Sequence, residues 1–207
     1  RQVKKVTGEN NLCLAGGVAL NCVANGRLLR SGIFDDIWVQ PASGDAGGAL
    51  GAALTVWYQY LGNQRKATGR RDCQRGSYLG PLFSNEDIET FLKDNAVTHT
   101  RLSDEELPGT IADILTQEKV VGWFQGRMEF GPRALGGRSI LGDARNTDMQ
   151  TTLNLKIKYR ESFRPFAPSC LDSDVTELFE LDRPSPYMLL VAPVKKERCH
   201  TVPDDGL

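Results

Sequence analysis

GRMEFGPRALGGRSILGDARNTDMQTTLNLKIKYRESFRPFAPS, residues 126–169 of a 207-residue chain, is the stretch on which the reading of this sequence turns. It carries eight cations (Arg127, Arg133, Arg138, Arg145, Lys156, Lys158, Arg160 and Arg164) against four carboxylates (Glu129, Asp143, Asp148 and Glu161). Taking that excess of four from a formal net charge of −1 leaves the rest of the chain at −5. Gly131, Pro132, Gly136 and Gly137 demand tight turns in the same place, and the arginine fork matches the geometry of phosphate or carboxylate. An anion pocket is one reading and a solvated basic surface the other. The interleaved Met128, Phe130, Phe163, Pro165 and Phe166 weigh against the second, because a solvated face has no use for them.

Working outward, KVVGWF (119–124) reads as a buried strand and Ser139–Leu141 as another, so the basic stretch begins as strand, loop, strand, the manner in which α/β and α+β folds present ligand loops. Within it Thr147–Lys158 reads as a helix with Asp148 in its first turn. Ala167–Leu171 reads as a further strand, and Tyr187–Val194 as the strand that completes the sheet. Upstream, Ser84 with Asp87 opens a helix, and Ser103 with Glu106 forms a capping box ahead of the apolar positions Ile111, Ile114 and Leu115. Residues 62–77 are polar, basic and glycine-punctuated, which marks them as a linker between two modules, 1–61 and 78–207.

The first module opens with an apolar run, Leu12–Ala15, then Gly16-Gly17, then apolar residues at helical spacing from Val18 to Leu29. That order is strand, glycine turn, helix. The turn lacks the lysine of a phosphate-binding loop and the spacing of a dinucleotide fingerprint, so it shows only that backbone comes close to something. Ile37–Gln40 is a second strand, and Asp45 precedes a helix rich in Gly and Ala. A carboxylate there either caps the helix or ligates a metal.

At 40% hydrophobic and 25% charged the composition is that of a soluble globular protein. No segment has the length of an apolar transmembrane span. Five scattered cysteines without CxxC spacing indicate neither a disulfide framework nor zinc, and a reducing cytoplasm is the expected location. A pI of about 6.2 argues against nucleic acid as the partner. Both ends read as cut, so a fragment of a longer protein is expected.

LCLAGGVALNCVANGRLL (12–29), SGDAGGALGAAL (43–54), and GRMEFGPRALGGRSIL with KYRESFRPFAPS (126–169) resemble the NodU/CmcH-type O-carbamoyltransferase family. The resemblance implies an α/β first module, the last piece of an actin-like ATPase-type domain, followed by an α+β, YrdC-like mixed-sheet domain that is incomplete at its C-terminus. It implies that the YrdC-like domain combines carbamoyl phosphate with ATP into carbamoyl-adenylate and pyrophosphate. The actin-like domain would then pass the carbamoyl group to a hydroxyl of a small sugar or natural-product acceptor. By motif match it assigns Arg133, Lys158 and Arg164 as pocket cations, with Arg127 and Arg138 as second choices and Met188 as an apolar wall. Gly16, Gly17 and Asn21 fall at the nucleotide, and Asp45 at a metal. Mg2+ is implied with ATP, and a transition metal, iron by the family pattern, in the intact actin-like domain. The family's other metal ligands are histidines that His99 and His200 do not match, so the chain as given is expected to be inactive in the full reaction.

Two rivals stand beside this reading. One is an RNA-binding or tRNA-modification module of YrdC-like fold, which would need a broad basic face and show steep salt dependence. The other is a non-catalytic nucleotide-binding protein. A compact cationic stretch beside an acidic remainder favours a small anion. A homodimer is compatible with all three.

Overall fold

Helix α1 (Gln2–Thr7) opens the chain and ends at Gly8 in the left-handed region, φ 72°. It belongs to a computed structural model that describes residues 1–66 and 72–200. The described residues group into two units: 1–66 with 131–133 and 169–200, and 72–130 with 134–168.

In the first unit the apolar run forms β1 (Asn11–Leu14), with Leu12 and Leu14 half-buried and Asn11 and Cys13 exposed. It pairs in parallel with β2 (Asp36–Val39), Leu12 opposite Ile37 and Leu14 opposite Val39. Parallel strands require a crossover, and α2 (Cys22–Arg30) lies on it. The helix expected from Val18 is divided in two. Gly17–Leu20 winds as a 3-10 turn, and Asn21 starts α2 by accepting the Ala24 N–H at 3.0 Å. A side chain that takes a backbone N–H in this way begins a helix rather than continuing one. After β2 comes α3 (Asp45–Thr55), which runs on into a π-helical turn at Val56–Tyr60.

The strand expected over 187–194 does not form. Met188 adopts a left-handed φ of 52°, which interrupts an extended path. The backbone of this segment is satisfied by α2 instead. Asn25 Nδ2 donates to the Leu189 carbonyl at 3.1 Å, Arg30 Nη1 to that of Val191 at 2.6 Å, and the Val191 N–H to the Cys22 carbonyl at 3.2 Å. Gly26 permits the approach, since a Cβ there would stand 2.2 Å from the Val191 oxygen. A bridge between Phe179 and Val194 is the β-pairing recorded for the segment. Tyr187 and Leu189 still enter the core with Ala19, Phe34, Val39 and Ala42.

In the second unit α4 (Asn85–Asp94) starts on the expected Ser84–Asp87 capping box. Ser103 and Glu106 exchange the same pair of bonds ahead of α5 (Glu106–Thr116). β3 (Val121–Phe124) and β4 (Arg138–Leu141) pair antiparallel, with Phe124 opposite Arg138. The helix expected over 147–158 begins after Asp148 as α6 (Met149–Thr152) and continues as a π-helical turn, Leu153–Ile157, anchored by buried Met149, Leu153 and Asn154. No strand forms at 167–171, where Pro168 has no N–H to give to a ladder and every residue is exposed.

Among the described residues each unit thus holds one two-stranded sheet, and the architecture is α/β, of mixed helices and small sheets. Of the linker expected over 62–77, residues 67–71 lie outside the described residues. Residues 72–77 group with the second unit, where Ser77 is buried and its carbonyl accepts the Phe130 N–H at 2.7 Å. No helix among the described residues is long and apolar enough to cross a membrane.

Candidate functional site

The Gly16 N–H donates to the Ser43 carbonyl at 2.8 Å, which ties the turn after β1 to the turn after β2. Both turns lie at the carboxyl ends of a parallel pair, the edge where α/β sheets bind ligands. Gly16 sits at φ 97°, open to glycine and strained for other residues, and Gly17 begins the 3-10 turn. Asn21 is engaged as the cap of α2. Asp45 is exposed in the first turn of α3, where the helix amides favour a negative charge, and makes no capping bond.

The short segment Gly131–Arg133 belongs to this same group. Arg133 Nη2 donates to the Leu20 carbonyl at 3.0 Å, and a Cβ on Gly131 would lie 3.4 Å from the Ala42 Cβ. Arg133 Nε and Ser43 Oγ are both buried with no hydrogen-bond partner among the described residues. Buried polar atoms left open in this way call for a partner. The structure therefore places Arg133 in the same unit as Gly16, Gly17, Asn21 and Asp45, bonded to the Leu20 carbonyl next to Asn21. Met188 lies in the same unit, half-buried between Tyr187 and Leu189.

Asp45 is the one metal ligand the resemblance assigns, and no three His, Cys, Asp or Glu side chains gather among the described residues. A single carboxylate holds a transition metal poorly. The described residues do not by themselves fit such a metal.

In the second unit the loop between β3 and β4 is organised by Glu129, a residue that sequence reasoning counted only as a charge. Its side chain is 8% exposed, and Oε1 accepts the N–H groups of Leu135 at 2.6 Å, Gly137 at 2.7 Å and Arg138 at 3.2 Å. Burial acts to raise the carboxyl pKa, but N–H donors of Leu135, Glu129 itself, Gly137 and Arg138 outweigh it and hold the group below the usual glutamate value. A lone carboxylate just before a double-glycine turn in a cationic run is the signal that could have found it. Arg138 lies with its guanidinium 3.3 Å from the Phe124 ring centroid, and its Nη1 donates to the carbonyls of Gln125, Gly126 and Gly137. Arg127 Nη1 donates to the Gly80 carbonyl at 3.0 Å. Both second-choice cations thus brace the loop they sit on.

Lys158 and Arg164 flank a different organiser. Asn154 is fully buried, its Nδ2 donating to the carbonyls of Ser162 and Arg164 and its Oδ1 accepting Arg160 Nε at 2.7 Å. Gln150 also donates to the Arg164 carbonyl, so the backbone at Arg164 is held twice. Its side chain is half-exposed and paired with Glu161 at 2.8 Å. Lys158 ends the π-helical turn with an exposed side chain. Arg160 lies 5.0 Å from the Phe166 ring centroid. A cleft of about 520 Å³ in the first unit, beside Leu29, Phe34, Phe179 and Leu190, is lined by none of the residues the resemblance assigns.

Two small sheets among helices define an α/β protein, and Arg133 Nε and Ser43 Oγ stand open on the turns of its first unit. The chain belongs to the NodU-type carbamoyltransferase family: residues 1–54 match the family described as Carbamoyltransferase N-terminus and residues 112–205 the one described as Carbamoyltransferase C-terminus. Protein sll1178 of Synechocystis sp. is 68% identical over 92% of this chain and 31% of its own length. Nodulation protein NolO of Bradyrhizobium diazoefficiens is 46% identical over 96% of this chain and 36% of its own. Nodulation protein NolNO of Sinorhizobium fredii is 44% identical over 96% and 29%. The chain spans about a third of the length of the curated relatives it matches.

Proposed function

We propose that this chain contributes to an O-carbamoyltransferase that activates carbamoyl phosphate with ATP and delivers the carbamoyl group to a hydroxyl of a sugar or natural-product acceptor. In this reading residues 1–61 end an actin-like transfer domain and 78–207 form most of a YrdC-like, adenylate-forming one. Orthophosphate leaves carbamoyl phosphate on attack by water. The freed carbamate oxygen then attacks the α-phosphorus of ATP, and pyrophosphate departs. Bringing two polyanions together costs repulsion, which fixed guanidinium and ammonium groups offset. Arg133, Lys158 and Arg164 are the groups for that task, and Mg2+ accompanies the ATP.

The observation that carries the reading is the way Arg164 is mounted. The buried amide of Asn154 and the exposed one of Gln150 both donate to its carbonyl, while its guanidinium reaches solvent and pairs, among the described residues, with the exposed Glu161. A rigid base with a lightly engaged cation is what a preorganised phosphate site needs. The matching of both terminal family descriptions by one chain supports the pairing of an adenylate-forming part with a transfer part.

The test is pyrophosphate release in a polypeptide that carries this sequence over the full length of its relatives. Release should require both ATP and carbamoyl phosphate. Arg133→Ala or Arg164→Ala should slow it roughly 30- to 1000-fold, as expected for one cation removed from a desolvated phosphate contact. Release at the wild-type rate in both variants would refute the assignment.

A further inference from the structure

The resemblance gives Ser43 no role, yet its hydroxyl is the buried polar group at the entrance to α3. That helix, eleven residues long, starts at Gly44 without a side-chain cap. Ser43, the residue before, is 6% exposed, and its Oγ has no hydrogen-bond partner among the described residues. A hydroxyl sealed from water costs free energy until it finds an acceptor. The turn that carries it is fixed on two sides: the Gly16 N–H holds the Ser43 carbonyl at 2.8 Å, and a Cβ on Gly47 would stand 1.9 Å from the Ala42 oxygen. The Arg133 segment, in the same unit, flanks this turn. Gly131 packs on Ala42, one residue before Ser43, and Arg133 Nη2 donates to the carbonyl of Leu20, whose Cδ1 is the atom nearest a Cβ built on Gly44, one residue after. Arg133 Nε is itself buried and open. Beside them, Gly17 keeps space clear. Its φ is not left-handed and nothing lies within 4 Å of a Cβ there, so neither backbone nor packing asks for a glycine.

We propose that Ser43 is a phosphate ligand: its hydroxyl and Arg133 Nε donate to a phosphate group seated at the uncapped start of α3. The inference rests on the reading of Arg133 as an anion ligand. A guanidinium N–H can only donate and a serine hydroxyl can donate, so the ligand has to bring acceptors. Phosphate brings several, matches the arginine fork, and meets the partial positive charge of the first helix amides. The Asp45 carboxylate stands in the same turn but is exposed, where water weakens its repulsion. Because the turn is already held by Gly16 and Gly47, little ordering is left for the ligand to impose.

The experiment uses the 207-residue chain with orthophosphate and ATP as separate probes, their affinities measured by calorimetry, together with the denaturation midpoint in the absence of either. S43A should weaken binding by roughly 10- to 100-fold, the scale of one hydrogen bond to a charged group. Its midpoint without probe should equal or exceed that of wild type, because the substitution removes a buried hydroxyl that has no acceptor. S43C keeps the volume with a weak donor and should follow S43A in affinity. Binding of orthophosphate alone marks a free phosphate as the source, and binding of ATP alone marks a nucleotide; either supports the site when it is lost in S43A. A midpoint below wild type in S43A would make the hydroxyl structural and overturn the proposal. Unchanged affinity in S43A and S43C would overturn it too, as would a wild-type chain that binds neither probe. If binding shows this pattern but the longer polypeptide releases no pyrophosphate, the adenylate-forming reading fails and the role of Ser43 stands.

Discussion

Two turns follow β-strands in this chain and are built on opposite plans. After β1 the chain reverses through Gly16 and Gly17 with one backbone bond to Ser43 and a helix cap at Asn21. After β3 it makes a longer excursion, held by a buried carboxylate and a guanidinium stacked on Phe124, and past β4 the buried amide of Asn154 holds the segment from Arg160 to Arg164 on the same plan. The first plan needs only residues that tolerate the geometry, so each substitution removes a little. The second concentrates several bonds on one side-chain atom, so single substitutions remove much at once. It also allows cations to stand on loops without the loops being loose, which is the property a phosphate site demands.

The comparison is broken most directly at Asn154. Asn154→Leu fills the same space but leaves the Ser162 carbonyl and Arg160 Nε without that partner and the Arg164 carbonyl with Gln150 alone. The expected cost is about 2–4 kcal/mol to the second unit, since each buried polar group left open costs on the order of 1–3 kcal/mol. A chemical-denaturation midpoint equal to wild type would show that the side-chain plan carries no special weight.

Gly16→Ala probes the other plan. Nothing lies within 4 Å of a Cβ at that position, so the whole effect is the strain of φ 97° for a residue with a side chain. A loss of about 1–2 kcal/mol to the first unit is expected. Asn21→Ala should cost about 1 kcal/mol, the usual worth of a helix cap. Thermal melting of both variants gives the ranking. If either exceeded the loss in Asn154→Leu, the contrast between the plans would be reversed.

These sites also mark how far the sequence could be read. β1, β2, β3, β4 and the Ser84 and Ser103 capping boxes follow from local pattern, because alternation, spacing and caps act over a few residues. The apolar run at 187–194 has the same local look as a strand, but Asn25 and Arg30 of α2 claim its carbonyls, and no window on that segment contains them. The excess of cations over 126–169 was legible as composition, but not that Arg127 and Arg138 would bond to backbone carbonyls of their own loop and its neighbour. Glu129 and Asn154 were not, since a side chain that satisfies distant backbone leaves no periodic trace.

The smallest effect belongs to a pair of carboxylates that differ in burial and in partner. Glu161 has its pKa lowered by the hydrogen bond from Arg164 and, less strongly, by its own backbone and the charge of Arg164. Glu129 is lowered too, with burial opposing and backbone donors prevailing. For any carboxyl with a depressed folded pKa, the stability it contributes is present above the unfolded value of 4.5 and is lost as pH falls through the folded one. The window is therefore the same for both, below the ordinary glutamate range, and the sign is the same. Their sizes should differ because solvent screens the half-exposed Glu161–Arg164 pair, whereas the Glu129 bonds are shielded. Between pH 7 and pH 3 the denaturation midpoint of Glu161→Gln should run parallel to wild type, while that of Glu129→Gln should fall less steeply than wild type. The parallel result matters for function as well: it would mean that Arg164 is held in place by its backbone rather than by Glu161, and so can turn to a phosphate at little cost. A Glu161→Gln curve that diverged from wild type as strongly as that of Glu129→Gln would instead make the surface pair part of the frame.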